Sequence, residues 1–145
     1  PYVRRMALEK AQKIAAEYPN ENILACDTIV AVGKKILHKA KNDDEQTNVM
    51  NLLSGKTHRV ISSVCLINKN GKISQKTVSS KITMKKLTPE EIKSYVQSAD
   101  WHGVCGYRID GCIAAYVSRI LGSYSGIIGL PLYETLNLLK GENIR

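Results

Sequence analysis

No apolar stretch in this chain approaches the roughly 20 residues needed to span a bilayer. The start, Pro1-Tyr2-Val3-Arg4-Arg5, lacks the charged-then-apolar pattern of a secretory leader. Those absences make a cytoplasmic location the expectation. Cysteine pairs at metal-binding spacing are missing too: Cys26, Cys65, Cys105 and Cys112 fall inside apolar runs or beside glycines, with no histidine placed to complete a zinc site. The thiols are therefore expected to be reduced and mostly buried, as free cysteine behaves like a small hydrophobe. His38, His58 and His102 are scattered, and each is expected at the surface or in a loop rather than on a metal. Internal repeats, low-complexity tracts and linkers are also lacking, which leaves a single domain over residues 1–145.

Acids are scarce relative to bases, 13 Asp and Glu against 21 Lys and Arg, and the resulting net charge of +8 favours anionic partners. The densest basic group, Lys69 to Lys86, lies on a predicted hairpin with few aromatics on which bases could stack. A solvated lysine-rich face is the preferred reading, and nucleic acid is disfavoured as a partner. A composition that is 43% hydrophobic and 23% charged belongs to a folded globular chain rather than a disordered one.

Along the chain, Ala7, Leu8, Ala11, Ile14 and Ala15 recur at helical spacing and predict a helix over 3–17, closed by Pro19-Asn20. An apolar strand follows over 22–32, then a short hairpin or loop over 35–41 that carries Lys39. Asn42 with three acids behind it opens a helix running to Leu53 and stopping at Gly55. Residues 57–68 and 73–87 predict a long antiparallel hairpin about Asn68-Lys69-Asn70-Gly71. Thr88-Pro89-Glu90-Glu91 then reads as a capping box with proline at the first helical position. The remainder is glycine-rich and expected to be irregular until a last helix over Leu132–Leu139. Interleaved strands and helices define an α/β class, with an α+β-like mixed sheet and flanking helices.

Asp27 is the chemically pointed residue, because it interrupts the apolar run Ile23 to Val32. An ionised carboxylate in low-dielectric surroundings must be paired, hydrogen-bonded or bound to a metal. It is either a structural acid with a satisfied partner or the working end of a site.

Three stretches taken together are more specific: ACDTIV at 25–30, NLLSGKTHRV at 51–60 and GSYSGIIGLPLYETLNLL at 122–139. With Lys10-Ala11 on the first helix and Lys39 after the acid-bearing strand, they resemble the Maf family of nucleoside triphosphate pyrophosphatases, over essentially the whole chain. The resemblance implies hydrolysis between the α and β phosphates of pyrimidine or modified nucleotides, with Mg or Mn as divalent cation. It implies Asp27 as general base, metal ligand or both, Lys10 and Lys39 as phosphate-binding cations, and Thr28 at a position associated with substrate selectivity. A homodimer is the assembly it suggests. The Gly122-Ser123-Tyr124 and Gly129-Leu130-Pro131 stretches are expected to position the last helix rather than to touch ligand.

Two departures qualify that pattern. The family's first strand and its Ser-x-Ser-x-x-Arg phosphate loop have no counterpart here, so the expectation is a domain incomplete at its N-terminus, with apolar surface exposed as a result. The family's Lys-Ala-Gly-x-Tyr-x-Ile-Gln-Gly reads Gly103-Val104-Cys105-Gly106-Tyr107-Arg108-Ile109-Asp110-Gly111. Asp110 thus occupies a substrate position as a carboxylate in place of an amide, and Arg108 is expected to point away from it. The alternative is a weak or inactive family member that keeps nucleotide binding or only a dimer interface.

Overall fold

The computed structural model describes residues 2–144; Pro1 and Arg145 lie outside the described residues. Helix α1 (Tyr2–Glu17) leads into β1 (Ile23–Val32) and β2 (Lys35–Ile36), then α2 (Asp43–Leu53). The hairpin β3 (Thr57–Ile67) and β4 (Ile73–Met84) follows, then α3 (Pro89–Ser98). A 3₁₀ turn (Cys112–Tyr116), β5 (Val117–Leu121), α4 (Tyr124–Ile128) and α5 (Leu132–Gly141) complete the chain. The strands hydrogen-bond in the order β2-β1-β3-β4-β5, and helices flank this sheet, so the α/β class holds. Contacts divide the chain into two compact units.

The first unit comprises the described residues up to Thr28, Ile61–Ser79, and the chain from Ser123 on. Helix α1 buries Val3, Ala7 and Ala11, spaced four apart and so stacked along one face. Ala7 and Ala11 pack on Ile23 of β1 and on Cys65 and Ile67 of β3, with Ala25 at the margin. Alternate residues serve the other face: Val64 and Leu66 join Cys26, Leu138 and Leu139 in a second cluster. Both faces are covered by helices, which is why these strands read as continuous apolar runs instead of alternating ones. The hairpin turn is held by Asn68, whose side chain accepts from the backbone N–H groups of Asn70 and Lys72 at 2.9 Å each.

The second unit comprises Ile29–Val60 and Ser80–Gly122. Its helices start where side chains replace missing backbone partners. Asn42 accepts from Glu45 N–H at 2.9 Å to cap α2, and Thr88 and Glu91 form the expected capping box on α3. Strand β5 pairs antiparallel with β4, Lys81 opposite Leu121 and Ile82 opposite Ile120, with a register shift at Thr83/Met84.

The irregular tail expected after residue 103 therefore contains regular structure. β5 reads V-S-R-I-L, five residues with little burial, too short for periodicity to separate it from a loop. The thiols also differ from expectation: only Cys65 is buried, Cys26 and Cys105 are half-buried, and Cys112 is exposed at the start of the 3₁₀ turn.

Gly122 closes β5 at φ +135°, and a Cβ placed there would lie 2.4 Å from Ser80 Oγ and 2.9 Å from its Cα. The nearest obstacle includes backbone, which cannot swing aside. Gly122→Ala is expected to destabilise the fold by about 2–4 kcal/mol through strain and overpacking, read as a drop in the urea midpoint.

Candidate active site

In the first unit, the helix that turns Ala7 and Ala11 onto the strands leaves Lys10 at the edge of that contact. From there its Nζ donates to Asp27 Oδ1 at 2.5 Å. The Lys10 side chain is 52% exposed and that of Asp27 only 17%, so an open ammonium covers a largely enclosed carboxylate. The acid in the apolar strand thus has a charged partner. Lys10 occupies one carboxylate oxygen and uses one of three ammonium protons, which leaves the second oxygen and two protons for a ligand. Beside Asp27 in sequence, the Cys26 thiol is pushed above its ordinary range, chiefly by burial, and is unsuited to act as a nucleophile.

Thr28 follows Asp27 but faces the other side of β1. Its hydroxyl lies 2.7 Å from Ser62 Oγ and 3.4 Å from the Gly129 carbonyl. Ser62, fully buried on β3, donates its single proton to the Gly126 carbonyl at 2.6 Å. Thr28 is then the donor to Ser62, and a directional chain ties α4 to the strands. Ser123 caps α4 by accepting from Gly126 N–H at 2.9 Å, and Ser125 Oγ accepts from Leu132 N–H at 2.9 Å where α5 begins. The Gly-Ser-Tyr and Gly-Leu-Pro stretches therefore position the last helix, as expected.

The second unit holds the other two residues singled out from sequence. Lys39 is exposed and forms an antiparallel backbone bridge with Cys105. Asp110 is exposed and accepts from Arg108 Nη2 at 3.3 Å. That contact corrects the expectation that Arg108 points away: the two residues are two apart, a spacing that keeps side chains on one face even in an extended segment, and here Ile109 and Asp110 lie in a turn. The carboxylate in turn raises the Arg108 pKa through their hydrogen bond. Arg108 thus offsets locally the charge that Asp110 introduces.

The same unit overturns the placing of His58 at the surface. It is 1% exposed on β3, bonded through Nε2 to the Tyr107 hydroxyl with the rings edge-on at 5.4 Å. The signal was present: Thr57 and Arg59 point out while His58 and Val60 point in, a strand alternation that includes the histidine. Burial alone depresses the His58 pKa to about 4. Gln46, equally buried on α2, donates to the Gly106 carbonyl at 2.6 Å.

An acid–lysine pair on a helix-covered strand, followed by a threonine tied through Ser62 to a Ser-rich turn, is the constellation that the first unit presents. The model of the family described as Maf-like protein matches residues 1–142, and the chain belongs to that family. Among relatives, a protein of Mesorhizobium japonicum named dTTP/UTP pyrophosphatase is 44% identical over 98% of this chain and 72% of its own length. Proteins of the same name from Paramagnetospirillum magneticum and Caulobacter vibrioides are 44% and 42% identical, each over 97% of this chain and 75% and 74% of their own lengths.

Proposed function

We propose that this chain hydrolyses pyrimidine nucleoside triphosphates, dTTP and UTP foremost, to the monophosphate and pyrophosphate. The observation that carries the reading is the Lys10–Asp27 pair: a base and a phosphate-seeking cation within 2.5 Å, held by a helix and strand that pack on each other. A triphosphate needs both. In this reading a water, deprotonated by Asp27, attacks the α-phosphorus; the bond from that phosphorus to the bridging oxygen breaks, and pyrophosphate leaves. Lys10 neutralises charge on the phosphate oxygens as a compact point charge. Lys39 serves likewise as a cation, Asp110 with its Arg108 partner contacts substrate, and Thr28 affects selectivity through the loop it fastens.

A divalent cation, Mg or Mn, belongs to the proposal. Among the described residues no three His, Cys, Asp or Glu side chains gather into a cage. Asp27 offers one hard oxygen, which suits a cation otherwise coordinated by phosphate and water. When bound, the cation supplies charge neutralisation on the triphosphate. Cytoplasmic action as a homodimer completes the reading; among the described residues no helix is long and apolar enough to cross a membrane.

The test is pyrophosphate release from each nucleoside triphosphate with Mg or Mn. Release no greater than that of an Asp27→Ala control would sink the enzyme reading. Lys10→Ala is expected to raise KM by about tenfold while shifting stability by no more than about 1 kcal/mol, since the half-exposed pair is worth little to the fold. Nucleotide titrations and urea melts of the same preparation check both.

A further inference from the structure

The stretches His58-Arg59-Val60 and Cys105-Gly106-Tyr107 meet in the second unit, and nothing in the proposed chemistry yet uses His58 or Tyr107. His58 and Tyr107 are their buried members. Around them, four successive residues are each fastened by a different part of the unit. Cys105 bridges to Lys39 through backbone, and the Gly106 carbonyl accepts from Gln46. The Tyr107 hydroxyl bonds His58, and Arg108 N–H donates to the Tyr95 hydroxyl at 3.2 Å. Two residues further on stands Asp110, bonded to Arg108.

This fastening comes at a cost to the fold. Among the described residues, His58 Nδ1 and Gln46 Oε1 are buried and find no hydrogen-bond partner. A well-packed apolar pair at 58 and 107 would remove the His58 orphan and is the arrangement stability alone favours there. Polar groups retained at that disadvantage are explained if the position of the segment matters more than its stability. Lys39 and Asp110 are the two residues to which the segment is joined, one by a backbone bridge and one by two peptide bonds beyond Arg108.

We propose that His58 is a positioning residue: through Tyr107 it fixes segment 105–108 and so sets Lys39 and Asp110 for the triphosphate. The inference rests on the proposed pyrophosphatase reading and deepens it. His58 touches no substrate itself, and its effect passes through one hydroxyl.

Tyr107→Phe is the decisive variant, because it keeps the ring and its packing and deletes only that hydroxyl. It is expected to raise KM about five- to tenfold with kcat within about twofold, and to speed amide hydrogen exchange over residues 105–110. His58→Gln, which keeps a polar group at the same reach, is expected to fall between wild type and Tyr107→Phe. The double variant should be no worse than Tyr107→Phe alone, since both remove one contact. A merely structural role would lower the active fraction, reducing apparent kcat and leaving KM alone, and that result overturns the inference. So does an unchanged KM in a chain whose wild type turns over. A wild type that releases no pyrophosphate overturns the pyrophosphatase reading first and this inference with it.

Discussion

Asp27→Asn is expected to lower kcat for dTTP or UTP by about 10²–10⁴-fold, the range usual for loss of a positioned general base. Asparagine matches aspartate in size and can still accept from Lys10 Nζ, so the substitution removes charge and basicity and little else. The cost to the fold should be small. A pair whose lysine is 52% exposed contributes about 0–1 kcal/mol to stability, against about 3–5 kcal/mol for the expected loss in kcat. These magnitudes separate the two readings of Asp27. If the carboxylate serves only as the partner of Lys10, kcat in Asp27→Asn stays within a few fold of wild type and only the melt moves. If it is the base, the melt barely moves and turnover collapses. Single-turnover rates and urea midpoints on one preparation decide the matter.

Asp27 was legible because its surroundings are informative in sequence. A carboxylate inside ten otherwise mostly apolar residues must find a partner, and Lys10, on the helix ahead, is that partner. The capped helices were legible for a similar reason, since Asn42 and Thr88 act on backbone only three residues away. What escaped the sequence depends on long-range contact. His58 meets Tyr107 across 49 residues, and Ser62 meets Gly126 across 64. No local pattern encodes such pairings. Strand β5 escaped because its five residues are mostly exposed, so the hydrophobic alternation that announces a strand is absent. Arg108 is different, because its spacing of two residues from Asp110 already places both side chains on one face, and the contact between them follows from that spacing.

The same pairing across β3 makes the fold sensitive to acid in a specific window. Unfolded, His58 takes a proton near its ordinary pKa of 6.5; folded, burial holds it neutral down to about 4. Tyr107 offers no counter-charge, because burial pushes the phenol pKa upward and keeps it neutral. Between those values the unfolded chain binds more protons than the folded one, so stability falls as pH falls. Above pH 6.5 the group contributes nothing to the slope, and below about 4 its loss is complete. The expected loss is about 2 kcal/mol by pH 5 and about 3 kcal/mol in all. Glu91, Glu142 and Asp100, whose pKa values are lowered by hydrogen bonds, act in the same direction, but only below their ordinary values of 4.5 and 3.8. The window from pH 6.5 to 4.5 therefore separates the histidine from these carboxylates. His58→Gln cannot titrate and is expected to flatten the fall in urea midpoint between pH 7.5 and 5. An equal fall in wild type and variant would remove His58 as its cause.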